Sequence, residues 1–321
     1  MRLNLFRSLW GVVAADGGTA TLAAATADAA AAGCVGVECS VSLAAVLDKP
    51  AGAFQGALTS HGLVWSPVVF SSGPVWRGFD PFPPGTPRAA HADTVAAHVA
   101  ALAGQLDAAD RVAPAAVLRE AVALAGHDGL PAAANAAILA SCLDAAASRG
   151  FGLAFETHRG RALATPWAWR ALAAALAGPS ADAGTLASSL PLCLDVAHWV
   201  VACESGGVGD DPLFDEATAA AAATAARIHA RVGTCQASQT RSPGADAASR
   251  DACLHYWRIA LAAAAARGAP SFAATPEHGP APYLRSGGDS LESLNVWAAA
   301  AVRRLAGEVA GEGRGGKRAR G

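Results

Sequence analysis

Short apolar runs alternate with long alanine- and leucine-rich segments from the first residues onward. The runs predict strands at Leu3–Trp10, Cys34–Val41, Leu63–Phe70, Leu118–Leu124, Phe151–Glu156, Leu190–Val196, Ile228–Gln236 and Ser271–Glu277. Between them, Thr19–Ala32, Ala90–Leu106, Ala132–Ala147 and Asp215–Ala226 have the length and composition of helices. Strands alternating with helices imply a parallel sheet with crossover helices. Eight such units in 321 residues fit an α/β protein of one domain, a (β/α)8 TIM barrel. An open doubly wound sheet would instead carry a glycine-rich phosphate turn after its first strand. The chain there reads Gly11-Val-Val-Ala-Ala-Asp-Gly-Gly18, without that pattern.

The barrel is expected to span residues 1–306. Residues 307–321, ending Gly-Arg-Gly-Gly-Lys-Arg-Ala-Arg-Gly, read as a disordered Gly/Arg-rich tail. Residues 71–88 form a Pro/Gly-rich loop carrying Trp76, Phe79 and Phe82 after the third strand. It either closes over a ligand or packs its aromatics on neighbouring helices.

Composition narrows the function classes. The chain is 53% hydrophobic and 16% charged with net charge -2, which argues against a nucleic-acid-coating protein. Alanine supplies most of the positive mean hydropathy, and no stretch gives the roughly 18–20 strongly apolar residues of a membrane span. Arg7 and Trp10 interrupt what would be the apolar part of a secretion signal, so a soluble globular protein is expected. Only Lys49 and Lys317 are lysines, which leaves little for Schiff-base chemistry. The seven cysteines are odd in number and contain no C-x-x-C pair. They fit free buried thiols in a reducing, cytoplasmic setting, and none is assigned to catalysis.

In a barrel of this kind, function gathers at the C-terminal ends of the strands. Strand five ends Phe155-Glu156-Thr-His158-Arg159-Gly-Arg161, and strand six ends Leu194-Asp195-Val-Ala-His198-Trp199. Strand seven contains Ile228-His229-Ala-Arg231, and strand eight ends Thr275-Pro-Glu277-His278. Taken singly, Glu156 could pair with Arg159 or Arg161, Asp195 could cap the next segment, and His229 could be a core histidine. Their joint occurrence on successive strand ends points to a site. Three carboxylates converging in one mouth repel each other, and a divalent cation resolves that. Three oxygen donors and one nitrogen suit Mn2+, Mg2+ or Co2+, and admit Zn2+.

His158, Arg159 and Arg161 form a cationic cluster that either holds a substrate phosphate or carboxylate or balances the site's own carboxylates. His127, in Gly126-His127-Asp128-Gly129, either faces the pocket or is a turn residue. His91 and His98, seven apart on a predicted helix, are expected to face solvent.

Glu-Thr-His-Arg-Gly-Arg at 156–161, Leu-Asp-Val-Ala-His-Trp at 194–199, His-Ala-Arg-Val-Gly at 229–233 and Thr-Pro-Glu-His-Gly-Pro-Ala-Pro-Tyr at 275–283 resemble the sugar phosphate isomerase/epimerase family, the xylose isomerase-like TIM barrels. Leu9-Trp10-Gly11 and Gly36-Val37-Glu38 are compatible with its first two strands. The resemblance implies one divalent metal held by Glu156, Asp195, His229 and Glu277. It also implies acid/base roles for Glu156 and Glu277 on opposite faces of a keto sugar, and substrate-holding roles for His198 and Arg231. A small sugar or sugar phosphate is then the expected partner, with no nucleic acid and no membrane; a homo-oligomer stays open.

Three alternatives accompany this expectation. A hydride-shift xylose isomerase needs a lysine near one carboxylate, and none lies between residues 50 and 316. An endonuclease IV-like phosphodiesterase in DNA repair shares the Asp-x-x-His of strand six. It also needs an Asp-x-His after the strand-seven histidine, where this chain reads Gln236-Ala-Ser-Gln-Thr-Arg-Ser-Pro243. A metal-dependent sugar dehydratase or lyase would present the same ligand set, and so would a barrel that binds without turnover.

Overall fold

Eight parallel strands close into a barrel in sequence order: β1 (Arg2–Ser8), β2 (Gly36–Ser40), β3 (Val64–Phe70), β4 (Glu120–Leu124), β5 (Gly152–Glu156), β6 (Leu192–Leu194), β7 (Ala225–Ala230) and β8 (Ser271–Pro276). The computed structural model describes residues 1–13, 19–71, 95–178, 182–205, 208–284 and 286–318. Pairing of β1 with β8, Leu3 opposite Phe272, completes the closure. Outside the strands lie α1 (Thr19–Ala31), α2 (Val41–Leu47), α3 (Ala53–Thr59), α4 (Val95–Val112), α5 (Ala132–Ala147), α6 (Pro166–Ala177), α7 (Ala183–Ser189), α8 (Val196–Ala202), α9 (Pro212–Thr224), α10 (Ala247–Ala266) and α11 (Leu291–Arg318).

Local chemistry starts these helices where the chain needs them. The Thr165 side chain accepts the Ala168 amide with Pro166 in the first turn of α6, and Asp211 accepts two amides ahead of Pro212 in α9. Alternation along the strands divides the core in two. One set, including Val37, Trp65, Val69, Phe155 and Ile228, packs in the main core with helix residues such as Leu102, Leu139 and Trp257. The other set forms a separate apolar cluster of Val68, Phe70, Val122, Leu124, Ala154 and Cys193, contributed by β3 to β6. Across from it, β2, β3, β7 and β8 contribute a buried polar network around Glu38, Ser66, Arg227 and Thr275. Gly36 lets β2 lie close against β3: a Cβ there would collide with the Val64 carbonyl oxygen.

The structure departs from the sequence expectations at strand seven, along α11 and at His98. Strand seven runs 225–230 rather than 228–236, because Ala225 and Ala226, good helix formers, turn straight from the end of α9 into the sheet. The boundary expected at 306 falls inside α11. Val309 is buried, and Arg258 pairs with Glu308 and Glu312. His98 is buried rather than solvent-facing, its Nδ1 2.8 Å from the Ser71 hydroxyl at the end of β3. The aromatics Trp76, Phe79 and Phe82, and His91, lie outside the described residues. Among the described residues no helix is long and apolar enough to cross a membrane.

Candidate cation site

Four strand ends deliver one donor each. Glu156 is the last residue of β5, Asp195 follows β6 directly, His229 is the penultimate residue of β7, and Glu277 follows β8. Ligand atoms of all four lie within 4.8 Å of one another. The parallel register explains the convergence: His229 sits opposite Thr275, two residues before Glu277, and Glu156 sits opposite Cys193, two before Asp195.

His229 is fully buried and bridges two sets of carboxylates. Its Nδ1 is 2.9 Å from Glu277 Oε2 and 3.5 Å from Glu156 Oε1, while Nε2 is 2.9 Å from Glu38 Oε1. None of these contacts has the angle of a regular hydrogen bond, which leaves both ring nitrogens as buried polar atoms without a conventional partner. With Nε2 protonated toward Glu38, the Nδ1 lone pair would face two anionic oxygens. Such an arrangement needs a proton or a cation between them. The donor set therefore fits a divalent cation: hard carboxylate oxygens plus one imidazole nitrogen in a buried pocket.

The capping role weighed for Asp195 alone coexists with this arrangement. Asp195 caps α8, its Oδ1 accepting the Ala197 amide at 3.0 Å, while Oδ2 accepts from Arg231 Nη2. Arg231 Nη2 also lies 2.6 Å from His198 Nε2. Arg161 is buried beneath Phe70, 5.8 Å from the ring centroid to its guanidinium carbon, and Arg159 stands over Tyr283. The His158 and His198 rings meet at a tilt of 45°, with centroids 3.8 Å apart. Glu156, His158 and His198 form a second group of close donor atoms sharing Glu156 with the first. His127 has a turn role: its Nδ1 accepts the Gly129 amide at 2.9 Å.

Burial sets the charge states. It raises Glu156 to about 7, with repulsion from Glu277 and Asp195 added and the pull of His229 opposed. Asp195 is raised by burial too, against the attraction of Arg231. Burial alone would lower His229, yet Cys193, Glu277, Glu38 and Glu156 outweigh it and hold the imidazole well above its usual range. The carboxylates are the effective partners, since burial pushes the Cys193 thiol up to about 11. Burial followed by neighbouring cationic groups lowers both His158 and His198, so both are neutral at pH 7. Burial would also raise Glu38, but Arg227 and His229 prevail and hold it at about 2.

A pH dependence follows with a definite sign. Glu156 and His229 hold protons that a cation must displace, so cation affinity rises with pH through about 7 and falls below it. Titration of the purified protein with Mn2+ at several pH values, with proton release followed in weak buffer, checks this. A pH-independent affinity would contradict it.

Several residues that position the site carry little signal in the sequence. The buried Thr157 hydroxyl donates to the Asp195 carbonyl at 2.8 Å and accepts the Asp195 amide at 2.7 Å, tying the end of β5 to the end of β6. Gln239 holds the residue after His278 through both Gly279 backbone groups. Gly279 in turn gives room to Trp10, whose ring would stand 2.3 Å from a Cβ there, and Trp10 meets Tyr283 edge to face. Glu38 and Arg227 belong to this group as well.

No family model and no curated protein matches the chain. Solved structures do match over nearly its whole length. One is a xylose isomerase-like TIM barrel protein from Mycobacterium smegmatis in complex with magnesium, at TM-score 0.57 and 16% identity, covering 96% of this chain and 98% of that one. Another is an L-ribulose 3-epimerase at TM-score 0.56 and 16% identity, covering 98% and 97%. A third is a D-allulose 3-epimerase from Methylomonas sp. in complex with D-allulose, at TM-score 0.55 and 16% identity, covering 95% and 97%. The chain thus has the fold of the xylose isomerase-like barrels, the fold expected from its sequence.

Proposed function

We propose that the chain is a sugar isomerase or epimerase that uses one divalent cation, Mn2+, Mg2+ or Co2+, held by Glu156, Asp195, His229 and Glu277. The observation that carries this is the convergence of two buried carboxylates, the partly exposed Glu277 and one buried imidazole on a single point at the barrel mouth. The sugar epimerases of the same fold support it. A cation bound there supplies polarisation of a carbonyl and its neighbouring hydroxyl, which acidifies the adjacent C–H and favours an enediolate.

The side chains do the rest. Glu156, buried at the end of β5 among the converging donors, takes the proton. Glu277 returns a proton from the other face of the sugar. His198 Nδ1 and Arg231 Nε are buried and have no hydrogen-bond partner among the described residues, which leaves them for substrate oxygens that gain charge. His158 and Arg159 complete the substrate side of the pocket. Seven unbridged cysteines are in keeping with a reducing, cytoplasmic setting.

Metal content after dialysis and reloading with Mn2+ tests the reading, measured for wild type and for Glu156→Gln, Asp195→Asn, His229→Gln and Glu277→Gln. About one ion per chain, weakened in several variants, is expected, together with exchange of substrate C–H with solvent on keto sugars. Binding that none of the four substitutions changes would overturn it, and about three zinc ions per chain would point instead to phosphodiester cleavage.

A further inference from the structure

Among the described residues, the donor group leaves one buried carboxylate of the barrel interior unused. Glu38 lies on β2, across the barrel from the strands that bear the four donors, and is 1% exposed. Its two oxygens are divided between two partners on β7. Oε2 accepts from Arg227 Nη2 and from the Ser66 hydroxyl, whereas Oε1 is left facing His229 Nε2 at 2.9 Å. Arg227 and His229 are two apart on the strand, so both side chains project to the same side of the sheet. Arg227 is held in turn by Ser66 at 3.0 Å and Thr275 at 3.3 Å.

We infer that Glu38 is a positioning residue for the cation site: it anchors His229 through Nε2 so that Nδ1 is presented to Glu156, Asp195 and Glu277. This rests on the cation reading proposed above. An imidazole has two nitrogens, and a flip about Cβ–Cγ would turn Nδ1 away from the converging carboxylates. A carboxylate fixed behind Nε2 selects the orientation and the tautomer with Nδ1 unprotonated, and makes that nitrogen a stronger donor. Arg227 occupies the other oxygen of Glu38 and so keeps Oε1 for the ring. A carboxylate present only to neutralise Arg227 would have no need to place its second oxygen against His229.

The test compares wild type with the double variant Glu38→Met/Arg227→Met, which replaces the ion pair by apolar side chains of similar size and leaves no lone buried charge. Calorimetric titration of the full chain is expected to show Mn2+ bound about 10- to 100-fold more weakly by the folded double variant. In the metal-free proteins, the Nε2–H proton of His229, assigned by its loss in His229→Gln, is expected as a downfield, slowly exchanging NMR signal in wild type. It should be absent from the double variant. Where wild type binds Mn2+, equal affinity in the folded double variant overturns the inference; a retained Nε2–H signal overturns it in any case. A wild type that takes no Mn2+ but whose Nε2–H signal still depends on Glu38 removes the cation reading and keeps the anchoring. Should the double variant fail to fold, Glu38→Gln supplies the same two readouts, and a protein matching wild type in both overturns the inference.

Discussion

Glu156→Gln is expected to slow exchange of the substrate C–H with solvent roughly a hundred- to ten-thousand-fold, the usual worth of a positioned general base. A carboxamide matches the carboxylate in size but cannot take up a proton. Glu156 is 4% exposed, so water has little access from which to substitute for it. The substitution also removes one anionic oxygen from the donor group, so Mn2+ affinity should fall in parallel. Saturating Mn2+ separates the two effects: restored occupancy with a persistently low rate is the signature of a lost base. Exchange followed by NMR in D2O on a panel of keto sugars gives the rate. A Glu156→Gln protein that exchanges at the wild-type rate when saturated with Mn2+ would remove Glu156 from proton transfer.

The second large effect is on stability. Asp195→Ala leaves Arg231, 1% exposed, without the carboxylate that accepts from it. Breaking a buried pair on one side costs about 3–5 kcal/mol, because the desolvated charge stays behind. Loss of the α8 cap adds about 1 kcal/mol. Denaturant unfolding of the metal-free protein should therefore show a pronounced loss, and Asp195→Ala/Arg231→Met should recover much of it. Measured without metal, the comparison separates this structural part of Asp195 from its role as a donor. An Asp195→Ala protein as stable as wild type would show that solvent or a rearranged carboxylate compensates Arg231.

The carboxylates at the strand ends were legible because each closes an apolar run: Phe155 before Glu156, Leu194 before Asp195, Thr275-Pro before Glu277. An ionisable residue at the end of a strand that is otherwise apolar stands out against its neighbours. Glu38 sits in the middle of β2 and gives no local sign of its role, since its partner Arg227 is 189 positions away and only barrel closure joins them. Thr157 carries no signal for the same reason: its hydroxyl serves the backbone at the end of another strand. Periodicity identified the helix bearing His98 but not the face that turns inward, which Ser71 decides from the end of β3. Composition alone gives no sign of the packing at 308–312. Here Glu308 and Glu312 are drawn to Arg258 on α10, and Val309 finds the core.

The distribution of donors around the barrel has a consequence for engineering by recombination. β5 to β8 supply all four converging donors, and the first half of the barrel supplies none of them. A chimaera cut between β4 and β5 would inherit the complete quartet while exchanging the loops that follow the first four strands. It would also sever His229 from the one carboxylate that the first half lends it. A donor half-barrel lacking an acidic side chain at the position of Glu38 would therefore receive an intact set of ligands whose histidine has lost its backstop.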